Sequence, residues 1–198
     1  MRSIGFSGED ELAEALAKRC VHHLNPDLHF ESMRPRQGGK SGVERKFGSY
    51  IKTAEHYPIL VMIDLDDGEC PPSVYNGFLR SNGLTQLPRM LVLSIIQKET
   101  EAWLLGDYEG LCKFLGLNAV DLRGCPEEIV DPKKFIVDLA RDSRRYADEI
   151  CPTVGAKVGP GYNYWLSQFV EQQWNVERAT ERCPSLHRTL ERLRNLWE

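Results

Sequence analysis

The chain has 198 residues, 41% of them hydrophobic and 27% charged, with a formal net charge of -4. That is the balance of an ordinary globular protein, long enough for one well-cored domain with or without a helical extension. It excludes a global attraction to nucleic acid, so any binding of that kind has to come from local patches.

The first two-thirds of the chain alternates strand and helix patterns. Arg2 to Phe6 is a short strand candidate, and Ser7 with Asp10 three positions later matches a capping box. Leu12, Leu16, Cys20 and Leu24 then share one helical face. Leu28 to Met33 reads as a second strand, and a Gly-rich loop over Pro35 to Gly42 leads into a helix around Val43 to His56. The third strand is the apolar run Ile59 to Ile63, bounded by Pro58 and Gly68. A helix over Ser73 to Ser81 and a fourth strand over Arg89 to Ile96 complete the series. Such an order predicts an α/β fold with a mostly parallel sheet of four or more strands and flanking helices. From Glu99 onward the pattern is helical: Glu101 to Leu105, Tyr108 to Leu115, Pro132 to Arg145, Tyr162 to Trp174 and Ser185 to Leu196. The expected division is a core over 1–107 and a helical layer over 108–198 packed on it as one unit.

The third strand carries the chemistry. Hydrophobicity ends at Ile63, and Asp64, Asp66 and Asp67 follow within four positions. Asp66-Asp67-Gly68 also suits a turn, but Asp64 still belongs to the apolar run, where a charge is costly unless it is paired or metal-bound. Carboxylates presented this way suit Mg²⁺, which takes one or two of them and fills its other positions with water and phosphate oxygens. Parallel strands end on a common edge. Glu9, expected in the first turn of the helix after strand one, and Glu99 and Glu101, after strand four, therefore arrive beside Asp64 and Asp66. Taken singly, Glu9 is better explained as a helix-dipole partner and Glu101 has a similar explanation; only the combination points to a site.

A strand, a Gly-Glu opening a helix, and a later strand ending in Asp-x-Asp resemble the Toprim fold of topoisomerases, primases and overcoming-lysogenization-defect nucleases. The segment Glu99-Thr100-Glu101-Ala102-Trp103-Leu104-Leu105 resembles the Glu-x-Glu-x-Trp-Leu element of small bacterial Toprim-like proteins, many of whose relatives are encoded beside ATPases in phage-defence or mobile loci. The similarity runs over about residues 2 to 107. It implies a nuclease that cleaves phosphodiesters with Mg²⁺ or Mn²⁺, with Glu9, Asp64 and Asp66 as catalytic metal ligands, Asp67, Glu99 or Glu101 assisting a second ion, and Glu9 alternatively a general base. It also implies DNA or RNA as partner, together with an ATPase. A non-catalytic adaptor that keeps the fold is the rival reading, and a homo-oligomer is left open.

Between Arg34 and Lys52 six basic residues face one acid, so Arg34, Arg36, Lys40 and Arg45 are candidate contacts to a phosphate backbone, with Lys157 a further one. Gly39-Lys40-Ser41 is no P-loop, because Arg34 stands where its first glycine is required. Lys133, Lys134, Arg141, Arg144 and Arg145 are diluted by Asp131, Asp138 and Asp142 and read as a solvated helix surface. Trp103, Trp165 and Trp174 read as core. No apolar run approaches the ~20 residues of a membrane span, and the first ten residues turn acidic too early for a signal peptide. Six cysteines without a CxxC pair suit reduced thiols, which completes the expectation of a cytoplasmic protein.

Overall fold

The computed structural model describes residues 3–33, 39–65, 69–118 and 122–197. Four strands, β1 (Ser3–Ser7), β2 (His29–Ser32), β3 (Ile59–Asp64) and β4 (Leu91–Ile96), form one all-parallel sheet in the order β2-β1-β3-β4. Helices α1 (Glu11–Leu24), α2 (Lys40–Thr53) and α3 (Pro71–Ser81) make the crossovers. The remaining helices are α4 (Thr100–Gly106), α5 (Tyr108–Leu115), α6 (Pro132–Ala140), α7 (Ala147–Ile150), α8 (Tyr162–Gln172), α9 (Val176–Arg182) and α10 (Pro184–Arg194). The expected α/β class is therefore present.

Strand alternation divides the core in two. Ile59, Val61 and Ile63 of β3 point with Leu91, Leu93 and Ile95 of β4 into a cluster closed by Val43, Phe47 and Phe78 of α2 and α3. Leu60 and Met62, with Ile4, Phe6, Val92 and Ile96, face α1 and the later helices. That second cluster runs unbroken to Leu193, so residues 108–197 share their core with the sheet. At Gly106 an added Cβ would lie 2.8 Å from the Ala179 Cα, and its absence lets α4 and α9 touch. Trp103 and Trp174 are fully buried, and the Trp174 indole N–H donates to the Trp103 carbonyl at 3.2 Å. Helix α10 seals the β4 side: Arg192 donates to the Leu93 carbonyl at 2.8 Å, and Ser94 shares a 2.6 Å hydrogen bond with Thr189.

Three local expectations are corrected. Ser7 caps nothing: it ends β1, is buried, and donates its hydroxyl to Tyr50 at 2.8 Å. Asp10 is itself the N-cap of α1, accepting from Ala13 N–H at 2.9 Å, so Glu9 precedes the helix instead of lying in its first turn. Helix α6 stops at Ala140, and the buried Ser143 hydroxyl donates to the Leu115 carbonyl at 2.7 Å to fix the turn that follows. Helices α7 and α9 carry no periodic run long enough to announce them.

Candidate active site

The strand order reverses between β1 and β3, since β1 leads outward to β2 and β3 leads the other way to β4. The crevice outside the carboxyl ends at such a switch point is where open α/β sheets bind ligands. Glu9 follows β1 and Asp64 ends β3. The Asp64 backbone N–H donates to Glu9 Oε1 at 3.0 Å across that crevice. The convergence expected of these two acids, 55 positions apart, is therefore present.

Glu99 and Glu101 arrive from the turn after β4. Lys98 there holds φ of 71°, the only non-glycine with positive φ among the described residues. A lysine in the left-handed region costs about 1 kcal/mol or more and persists where the surroundings impose it, often beside functional clefts. Glu101 is 1% exposed. It accepts from the Tyr162 hydroxyl at 3.1 Å and from Thr100 at 3.2 Å, and Lys133 Nζ lies 3.4 Å from it. Lys133 Nζ is also 3.6 Å from Glu99, and its backbone N–H donates to Glu99 at 3.3 Å. Lys133 is thus not merely a helix surface: it opens α6 and reaches into the acid cluster. Its place in a first turn, unfavourable to a cation against the helix dipole, was the available signal. Tyr162, 61 residues from Glu101, gave none.

The acids floor a cavity of about 750 Å³. Glu9, Asp64, Lys98 and Glu99 lie on the sheet side; Lys133, Lys134, Asp138 and Arg141 of the α6 segment, with Lys157, form the facing wall. Lys134 and Arg141 both pair with Asp138. Lys157 lines the same cavity. Gly39, at φ of 79°, leads into α2 and donates its N–H to the Glu9 carbonyl at 3.3 Å, which ties that basic segment to the site. Lys40 pairs with Glu69 at 2.5 Å, and Arg45 is exposed on α2. Arg34, Arg36, Asp66 and Asp67 lie outside the described residues.

Burial, and then the carboxylates of Glu9, Glu101, Asp10 and Glu99, hold the Asp64 carboxyl well above its ordinary range. No hydrogen bond or ion pair with a described residue reaches that carboxylate. Glu101 is pushed up by burial, partly offset by Lys133. Burial alone would lower Lys133, but Glu101 and Glu99 outweigh it and keep the ammonium charged beyond its usual range. Tyr162 is raised by burial and by Glu101, so it stays a hydroxyl donor.

The donor chemistry fits a hard divalent cation, which takes oxygen ligands and relieves the crowding around Asp64. Among the described residues, however, no three His, Cys, Asp or Glu side chains already converge as a metal-holding group. Comparisons with protein-family models, with curated proteins and with solved structures find no match for this chain. No described helix is long and apolar enough to cross a membrane.

The raised Asp64 pKa gives a stability prediction. A folded-state pKa above the unfolded value means the native protein binds the extra proton, so stability falls as pH rises from about 3.9 through the folded pKa. In a chelator, Asp64→Asn should be more stable than wild type at pH 7.5, with the difference in melting temperature shrinking towards pH 4. An asparagine variant that melts no higher at pH 7.5 would show that the charge is compensated.

Proposed function

We propose that the protein is a Mg²⁺- or Mn²⁺-dependent phosphodiester hydrolase of Toprim-like fold, acting on nucleic acid. The observation that carries this reading is Asp64 at the switch point: its N–H holds Glu9 at 3.0 Å, and both acids line one cavity with Glu99. Asp64, Glu9 and Glu99 are the described residues that would hold the ion, with Asp66 and Asp67 following β3 as further candidates. When bound, such an ion supplies an activated water and offsets charge building on the phosphoryl oxygens.

The chain's own residues divide the remaining work. The Asp64 N–H holds one Glu9 oxygen, and Glu9 lines the cavity. Glu101, already satisfied by Tyr162, Thr100 and Lys133, serves better as a holder of Lys133 than as a metal ligand. The Lys133 ammonium, charged and fixed, then faces the cavity as a partner for phosphate oxygen. An ATPase partner and a role in bacterial phage defence belong to the same proposal and rest on the resemblance alone.

Two measurements test it. Millimolar Mn²⁺ or Mg²⁺ should raise the melting temperature by at least several degrees, because the ion binds only the folded acid cluster. Single- and double-stranded DNA and RNA incubated with Mn²⁺ should be cleaved by wild type. A melting temperature indifferent to both ions, with no cleavage of any substrate, would replace this reading with the adaptor.

A further inference from the structure

A second cavity, of about 490 Å³, lies beside β4 between α3 and α10 and shares no lining residue with the acid cleft. One face of α10 forms a wall, where Ser185, Arg188, Thr189 and Arg192 recur at helical spacing. Pro71, Pro72 and Tyr75 of α3 form the other, and Ile95 of β4 lines it too. The hydroxyls of Ser185 and Thr189 are spent inside the fold, on Glu127 at 2.6 Å and on Ser94 at 2.6 Å. The two guanidiniums are not. Among the described residues no carboxylate pairs with Arg188 or Arg192, and Glu191, which lies between them in sequence, pairs with His187 at 3.3 Å instead. Like charges four positions apart on one helix face repel. Arg192 is held there all the same by the Leu93 carbonyl at 2.8 Å, which leaves the rest of its planar fork unengaged among the described residues. Tyr75 is half-buried, packed against the core between the sheet and α2 and α3.

We propose that this groove binds a small molecule in which a carboxylate or phosphate is joined to an aromatic body, the anion lying on Arg188 and Arg192 and the ring against Tyr75 and the prolines. The site stands apart from the acid cleft and does not depend on the phosphodiester reading. Charge complementarity sets the first half of the ligand: a guanidinium fork matches a planar oxyanion, and an anion between two repelling cations relieves both. The apolar wall sets the second half. Ligand sites of this size are mostly apolar, with a few polar groups that fix orientation, and Tyr75, Pro71, Pro72 and Ile95 supply that surface here. An inorganic anion leaves those rings wet, and an uncharged ring leaves the guanidiniums facing each other.

The test is titration of anilinonaphthalene sulfonate, an aromatic anion whose emission rises on binding, into the full chain in a chelator. Arg188→Gln should weaken binding at least about 10-fold, the loss of a charge-assisted contact. Tyr75→Ala should weaken it at least about 3-fold. Lys157→Gln, in the acid cavity, should leave it unchanged. Arg188 is exposed, so its variant should melt with wild type. Naphthoate and adenosine monophosphate compete in separate arms, and the stronger competitor tells a carboxylate from a phosphate ligand. Inorganic phosphate and adenosine each carry one half and should compete at least about 10-fold more weakly. No binding of the probe, unchanged affinity in Arg188→Gln, or an equal loss in Lys157→Gln would each overturn the inference. Inorganic phosphate competing as well as the aromatic anions, or displacement by neither of them, would overturn it too.

Discussion

Asp64→Ala is expected to reduce metal-dependent phosphodiester cleavage on the order of 10³-fold or more, while leaving the protein folded. The magnitude follows from removing the central charged ligand of a site whose rate depends on preorganised electrostatics. The folding half follows from the same crowding: deleting a half-buried acid among acids relieves repulsion, so the metal-free variant should melt at or above wild type. Arg45→Ala, on the exposed face of α2, should instead weaken substrate binding modestly and flatten its salt dependence. Single-turnover cleavage in Mn²⁺ alongside thermal melts separates the two. Equal residual cleavage in wild type and Asp64→Ala would identify a contaminating nuclease and remove Asp64 from the mechanism.

The largest loss of stability should come from a residue far from that chemistry. Glu127→Ala is expected to destabilise the fold by about 3–5 kcal/mol. Glu127 sits in the 3₁₀ turn Pro126–Glu128 and is 2% exposed. Its Oε1 accepts from the Ser185 hydroxyl at 2.6 Å and from the Ser185 N–H at 2.9 Å, at the N-terminal end of α10. That hydroxyl in turn accepts from the Trp103 indole at 2.8 Å. Alanine leaves a void and strands two buried donors, the N–H and the hydroxyl of Ser185. Glu127→Gln keeps an acceptor but adds amide hydrogens that need partners, and should cost about 1–2 kcal/mol. Chemical denaturation resolves the series; an alanine variant within about 1 kcal/mol of wild type would mean that water replaces the carboxylate.

Most of the sheet was legible in the sequence because β1, β3 and β4 are short, apolar and punctuated. Ile59 to Ile63 lies between Pro58 and the acids, and Leu91 to Ile96 has no polar residue but Ser94. Glu9 and Asp64 were legible as a pair because parallel strands share an edge. The sequence alone did not place them at the point where strand order reverses, since that order depends on which neighbours pair. Lys133 was misread because a charged helix start looks alike whether it meets solvent or two glutamates. Glu127 and Tyr162 were missed for a different reason: each acts on a partner 58 or 61 positions away, and nothing local marks it. Helix α9, VERATER, buries only Val176 and Ala179, too few positions to show a period.

The guanidinium of Arg192 on the Leu93 carbonyl has a consequence for assembly. A sheet grows by offering free main-chain groups to another strand. With β4 blunted by α10, the described sheet offers only the outer side of β2, four residues bearing His29 and Glu31. Two copies joined there about a two-fold axis would present no second open side. Strand addition at β2 would therefore join two copies about that axis, with β4 of each turned away behind α10.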